Sequence, residues 1–321
     1  MLVNKTMSPE FPIIQYLPLT RARASRRFLN KLNYKNIHAI LDLEDSAQDP
    51  FNIEKTRKLK HEARKGLISI SESFKEEFNS MIYIRVNAIT SEFFNKDVVA
   101  IKKSIKNGMP IKGIFLPKTE NYQTIVMIHE LFLENDIRLE IVPMIETQIG
   151  YKKLSDLLIG DQANGLISKV HYGHFDYSLD SCLWPFPDPN HKEYWEIIKP
   201  MIELLLEYKK VYIHTPFPFP NDKELFWSSQ FYLQSLFPRL NFWACTLNLE
   251  LSLSEKPNTL KQLNCISLTN DHSQLVEEAE SIVKGYYEGR ANKRSFGMST
   301  TRFIPPHQVF AAERFLDQFK N

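Results

Sequence analysis

Residues 113–147 read GIFLPKTENYQTIVMIHELFLENDIRLEIVPMIET, and this stretch decides the fold. Two short runs dense in Ile, Val and Leu, Gly113 to Pro117 and Glu140 to Glu146, flank a longer segment, Tyr122 to Glu134, whose apolar residues recur at intervals of three and four. That is strand, helix, strand, and near-continuous apolar strands joined through a helix lie parallel with both faces covered. The same rhythm extends in both directions. Further strand-like runs fall at Pro12 to Leu17, Ala39 to Glu44, Met81 to Val86, Ile167 to Gly173, Val211 to Thr215 and Phe242 to Leu247. Helical spacing recurs at Ile53 to Ser69, Asp97 to Asn107, Glu193 to Tyr208 and Lys223 to Leu236. Eight βα repeats over about 250 residues predict an α/β fold, a closed (β/α)8 TIM barrel. No GxGxxG follows an early strand, which speaks against an open dinucleotide-binding sheet.

Beyond the eighth run, Asn270 to Tyr287 and Pro306 to Phe319 carry amphipathic spacing and are joined by the polar loop EGRANKRSFGMSTTRF. The expected division is therefore a barrel over residues 1–250 and a C-terminal helical extension over 251–321, packed on the barrel or on a neighbouring subunit.

Composition narrows the partners. Lys and Arg number 40 against 38 Asp and Glu, a net charge of +2, with 43% hydrophobic and 24% charged residues. This is ordinary globular composition without the basic stripe of a nucleic-acid binder, so a small charged substrate is expected instead. Cys182, Cys245 and Cys265 form no CxxC pair, which argues against a disulfide framework and a zinc ribbon and for a reducing compartment. The start, MLVNKTMSPEF, lacks an apolar leader core, and no window approaches the roughly 18 apolar residues of a membrane span. The expected setting is cytoplasmic, away from membranes.

In a βα barrel the active site is built at the C-terminal ends of the strands. Here the runs end in LDLEDS with Asp42, Glu44 and Asp45, in YIRVN with Arg85 and Asn87, and in FLPK with Lys118. The next two end in PMIET with Glu146 and in YGHFDYSLD with His174, Asp176 and Asp180. Two carboxylates from adjacent strands suit Mg²⁺ or Mn²⁺, which take oxygen ligands and keep positions open for water or substrate. Glu146 and Asp176 are the expected ligand pair. The planar fork of Arg85 suits a substrate carboxylate, and Lys118 suits electrostatic support better than a Schiff base. His174 and His214 beside the rim read either as general bases or as hydrogen-bonded structural residues. Arg21, Arg23, Arg26 and Arg27 read as a solvated face or as contacts to a phosphate-bearing ligand, and the aromatic stretch from Trp184 to Trp195 as a lid or subunit contact.

Six motifs, LDLEDS at 41–46, KHEAR at 60–64, YIRVN at 83–87, IFLPKTE at 114–120, VPMIETQIG at 142–150 and YGHFDYSLD at 172–180, resemble in order and spacing those of the citrate lyase beta-subunit family. That family belongs to the HpcH/HpaI aldolase group of pyruvate- and phosphoenolpyruvate-handling barrels. The tail HSQLVEEAESIV followed by RFIPPHQVFAAERFL is similar to the paired terminal helices of many members. The resemblance implies a Mg²⁺-dependent carbon–carbon lyase or aldolase that acts on a small 2-oxo or hydroxy acid, free or as a coenzyme A thioester, through a metal-stabilised enolate. It assigns Mg²⁺ to Glu146 and Asp176, the substrate carboxylate to Arg85 with Asn87 beside it, and orientation of the site to Asp42, Glu44 and Asp45. It also implies a homo-oligomer, a trimer or larger.

Departures mark the limits of the resemblance. The family's Val-Pro-Gly after the first strand is Leu17-Pro18-Leu19 here, so the glycine that admits a close ligand is absent and thioester binding loses support. Glu255-Lys256-Pro257 stands where many relatives carry Ile-His-Pro, and PFPFP at 216–220 reads as specific to this branch of the family it resembles. The alternatives are a catalytically degenerate barrel serving as a binding or partner subunit, and a malyl-thioester synthase or hydrolase.

Overall fold

The structure, a computed structural model, describes residues 11–74, 78–257, 262–291 and 303–318. Eight strands close into a parallel barrel in sequence order. They are β1 (Ile13–Pro18), β2 (His38–Asp42), β3 (Ile82–Arg85), β4 (Ile111–Leu116), β5 (Glu140–Ile145), β6 (Lys169–Tyr172), β7 (Val211–Phe217) and β8 (Phe242–Thr246). The first half of the outer layer is α1 (Ala22–Tyr34), α2 (Ile53–Glu72), α3 (Phe94–Lys106), α4 (Tyr122–Leu133), α5 (Gln148–Lys152) and α6 (Leu154–Asp161). It continues through α7 (His174–Asp180), α8 (Lys192–Glu207), α9 (Lys223–Leu236) and α10 (Leu249–Ser252), and the C-terminal pair is α11 (His272–Ala291) and α12 (Pro306–Asp317). Two 3₁₀ turns, Leu19–Arg21 and Asp45–Ala47, follow the first two strands.

The strands read as apolar runs because both of their faces are buried. Residues facing the helices, such as Leu17, Leu41, Ile84, Ile145 and Tyr172, join one large core with α1, α2, α4, α8 and α9. The alternate residues, Tyr16, Ile40, Tyr83, Phe115, Met144, Ile213 and Trp243, fill the barrel itself. Its base carries a polar plug. The Lys169 ammonium lies 4.8 Å from the Trp243 ring centroid and pairs with Glu140, whose other oxygen accepts the Tyr83 hydroxyl at 2.7 Å.

The C-terminal pair has a small core of its own, with Ala279, Ile282, Tyr286, Ile304, Val309 and Ala312 buried together. It docks on the barrel mouth. Arg314 donates to the carbonyl of Leu179 at the end of α7, and Trp184 packs on Phe315 with ring centroids 5.9 Å apart. The aromatic stretch after α7 is therefore folded inward: Phe186 is buried, and the Trp195 indole N–H donates to the carbonyl of Pro189. Of the segment expected as a polar loop, residues 288–291 belong to α11 and residues 292–302 lie outside the described residues. Among the described residues no helix is long and apolar enough to cross a membrane.

Barrel closure leaves no room for a side chain at Gly113 on β4. A Cβ there would stand 2.3 Å from the carbonyl oxygen of Glu140 and 2.9 Å from its Cβ. Gly113→Ala is therefore expected to part β4 from β5 and lower stability by about 1–3 kcal/mol, read by urea denaturation. An unchanged midpoint would contradict this account of closure.

Candidate active site

Asp42 and Arg85 are in-register neighbours on β2 and β3. Their side chains form a bidentate pair, Nε to Oδ1 and Nη2 to Oδ2, both at 2.7 Å. Asp42 also accepts the backbone N–H groups of Glu44 and Ser46 at 2.9 and 3.0 Å, which fixes the turn carrying Asp45. The remaining fork nitrogen, Nη1, lies 2.9 Å from Asp45 and 3.1 Å from Glu44. The guanidinium carbon rests 4.8 Å from the Tyr16 ring centroid, and the Tyr16 hydroxyl lies 3.2 Å from Nε2 of His171. Burial holds His171 near pH 3 and so uncharged. Its Nδ1 then donates to the carbonyl of Ile213 at 3.1 Å, while Nε2 accepts from Tyr16.

The KHEAR segment braces this half of the mouth from behind. The Lys60 ammonium donates to the carbonyls of Leu43 and Glu44 at 3.1 and 2.7 Å, and Arg64 pairs with the fully buried Asp97 at 3.0 Å. Asn87, expected at the substrate, is engaged there instead. Its amide donates to Asp97 at 2.6 Å and to the carbonyl of Leu43 at 3.0 Å, so it ties the ends of β2 and β3 to α3.

The other half of the mouth is built on Glu146. Its Oε1 accepts the N–H of Lys118 at 2.9 Å, a residue held in the left-handed region at φ 51°. Its Oε2 lies where a side chain on residue 173 would have to stand, since a Cβ on Gly173 would be 2.4 Å from that oxygen. The carboxylate is thus cradled by the glycine opening α7. One turn on, Asp176 receives Lys118 Nζ at 3.1 Å on Oδ1 and His307 Nε2, from α12, at 3.2 Å on Oδ2. Sequence reasoning missed His307, Lys60 and Tyr16. Lys60 and His307 stand inside the KHEAR and RFIPPHQVFAAERFL segments without any local mark of a role, and His307 reaches the mouth only because α12 docks on α7.

The acids divide by their neighbours. Against the cost of burial, the Arg85 guanidinium holds Asp42 down to about 2. Burial and the adjacent Asp45 push Glu44 up to about 8. Burial, with Asp176 and Glu44 nearby, raises Glu146 well above the carboxylate range. Despite burial, His307 and Lys118 hold Asp176 low, and Asp176 in turn raises His307 to about 9. Among the described residues, donor atoms of Asp45, Asp176 and His307 lie within 4.8 Å of one another, a spacing one cation could close. A carboxylate-rich donor set with an adjoining Glu146 fits a hard divalent ion.

The other sequence candidates lie outside this cluster. Asp180 caps α5 by accepting the N–H of Gln148 at 2.7 Å. His214 faces α9, where Nδ1 lies 2.9 Å from Gln230, and burial lowers it to about 4. His174 Nδ1 meets the Thr215 hydroxyl, with Asp188 3.6 Å from Nε2. Leu19 is buried, and its carbonyl closes on Gly66 of α2. Lys256 lies 4.2 Å from the Phe231 ring centroid, and Arg26 donates to the carbonyl of Ser73.

No protein-family model and no curated protein sequence matches the chain. Solved structures do. Malate synthase from Haloferax volcanii, in a ternary complex with pyruvate and acetyl-CoA, is 16% identical with a TM-score of 0.68, over 98% of this chain and 93% of that one. The Mycobacterium tuberculosis CitE protein, in complex with magnesium and pyruvate, is 14% identical with a TM-score of 0.56, over 84% of this chain and 98% of its own. The fold is theirs. RipC from Yersinia pestis shares it at 18% identity and a TM-score of 0.54, over 77% of this chain and 94% of that one.

The Arg85 pair yields a signed expectation. Because Asp42 titrates at about 2 when folded, below its ordinary 3.8, its contribution is complete above about pH 4 and is lost as the pH falls toward 2. Asp42→Asn should lower stability by about 1.5–3 kcal/mol at pH 7, since it removes the charge that Nε and Nη2 of the buried guanidinium face while Asp45 and Glu44 stay at Nη1. The gap from wild type should narrow at pH 3. Denaturation curves at the two pH values check this, and an equal gap at both would contradict it.

Proposed function

We propose that the chain is a divalent-cation-dependent carbon–carbon lyase or aldolase that cleaves or joins a small 2-oxo or hydroxy acid, free or as a coenzyme A thioester, through an enolate. One observation carries the reading: Glu44, Asp45, Glu146 and Asp176 gather at the C-terminal mouth of the barrel beside Arg85 and Lys118. This is the face where barrels of this kind do chemistry. The neighbours add chemical support, since CitE holds magnesium with pyruvate and the malate synthase holds pyruvate with acetyl-CoA.

Glu146 and Asp176 are the proposed ligands of Mg²⁺ or Mn²⁺. Bound there, the cation supplies Lewis-acid stabilisation of the negative charge that develops as the carbon–carbon bond breaks. Arg85 is the proposed carboxylate site. Asp42 holds Nε and Nη2 and so aims Nη1 at the mouth, where a substrate carboxylate would exchange with Asp45 and Glu44. Lys118 offers positive charge beside Asp176, and Asn87 positions the end of the Arg85 strand rather than touching substrate.

A second reading, a barrel that binds a partner without catalysis, is favoured by the number of acids around Arg85, since Asp42, Glu44 and Asp45 together meet its guanidinium. Enolate formation separates the two. In D₂O with Mg²⁺, the lyase is expected to exchange the methyl protons of pyruvate or acetyl-CoA above the background rate, read by proton NMR. Glu146→Gln with Asp176→Asn should slow exchange by about a hundredfold or more. Absence of exchange in both compounds, together with no melting shift from Mg²⁺ plus pyruvate, would leave the binding reading standing.

A further inference from the structure

We propose that His307 is a protein ligand of the cation at the barrel mouth, so that the docked C-terminal helix completes a nitrogen-containing site that favours Mn²⁺-type ions over Mg²⁺. This rests on the reading of the mouth as a cation site and deepens it by naming a ligand and a metal class.

The first observation is placement. His307 is the second residue of α12, far in sequence from the strand ends, yet its Nε2 lies 3.2 Å from Asp176 Oδ2, and donor atoms of Asp45, Asp176 and His307 lie within 4.8 Å of one another. Donors about 2.1 Å from one octahedral ion lie about 3.0 to 4.2 Å apart, so shifts of less than about 1 Å close the shell. A nitrogen and two carboxylates from three separate elements thus converge on one point.

The second observation is charge. Five carboxylates, Asp42, Glu44, Asp45, Glu146 and Asp176, stand against the guanidinium of Arg85, the ammonium of Lys118 and the imidazole of His307. Lys60 donates to the backbone carbonyls of Leu43 and Glu44 and adds positive charge behind Glu44 and Asp45. Crowding so many carboxyl groups at one mouth opposes their ionising together, and a divalent ion placed among them relieves that repulsion.

The third observation is room. Gly173 leaves the space that Glu146 Oε2 occupies, so that carboxylate stays at the mouth beside the three donors. The Lys118 side chain is 48% exposed and can swing from Asp176 toward solvent when an ion enters. Ligation uses the neutral imidazole, so the Nε2 proton passes to water as the ion binds. An imidazole donor favours transition ions, whereas Mg²⁺ prefers an all-oxygen shell.

Mn²⁺ bound to the full-length chain and read by electron spin-echo envelope modulation tests this directly. Wild type is expected to show histidine ¹⁴N coupling that is lost in His307→Gln. That variant should bind Mn²⁺ at least about tenfold more weakly by calorimetry, with a much smaller change for Mg²⁺. His307→Asp restores a ligand without nitrogen and should recover Mn²⁺ affinity while the modulation stays absent. Tight Mn²⁺ binding with no nitrogen coupling, or coupling that survives in His307→Gln, overturns the His307 assignment and leaves the cation site intact. Failure of wild type to bind either ion overturns both.

Discussion

The mouth of this barrel is organised by one buried pair, Asp42 with Arg85. Both Asp42 oxygens face the guanidinium at 2.7 Å, and both also accept backbone N–H groups from the turn that follows β2. One carboxylate thereby sets the angle of the arginine and the position of Asp45. A buried guanidinium is tolerated only when its donors are met, so the presence of Arg85 constrains which acids can stand around it and where. The aromatic floor of Tyr16 and His171 and the Lys60 and Arg64 braces hold that arrangement from below and behind. What remains adjustable is Nη1 and the acids in front of it.

The opposite side of the mouth obeys a different constraint. Glu146 is cradled by Gly173 and anchored to the N–H of Lys118, while Asp176 is shared between Lys118 and His307. Burial disfavours the charged forms of Glu44 and Glu146 and the carboxylates beside them add repulsion, which is why both resist ionisation. Such a cluster favours any arriving cation. The proposed lyase chemistry follows from that bias, since an ion that relieves the repulsion also stabilises charge developing on an oxo acid.

The strands were readable because parallel strands covered on both faces must be apolar along their length, and the residue at which each run turns polar is the residue that reaches the mouth. The run Val211 to Thr215 ends two residues short of Phe217 because a proline reads as a strand end, whereas the ladder resumes at Pro216, opposite Cys245, after the register shift between Ile213 and Pro216. The pair α5 and α6 was not read as a helix at all, since the chain turns at Lys153 and interrupts the period. Partner choice within the site was less accessible. Whether Arg85 faces a ligand or Asp42, and whether Asn87 faces the mouth or Asp97, depends on side-chain geometry that spacing does not encode. His307 depends further on where α12 docks, a tertiary event with no local signature.

A crystal of the chain soaked with Mn²⁺ and pyruvate, with anomalous diffraction recorded at the manganese edge, tests the central claim most directly. The account predicts one strong anomalous peak at the barrel mouth, about 2.1–2.2 Å from oxygens of Glu146 and Asp176, with pyruvate completing the shell and its carboxylate at Nη1 of Arg85. A mouth without a peak, in which Arg85 still carries Glu44 and Asp45 at saturating pyruvate, would contradict it.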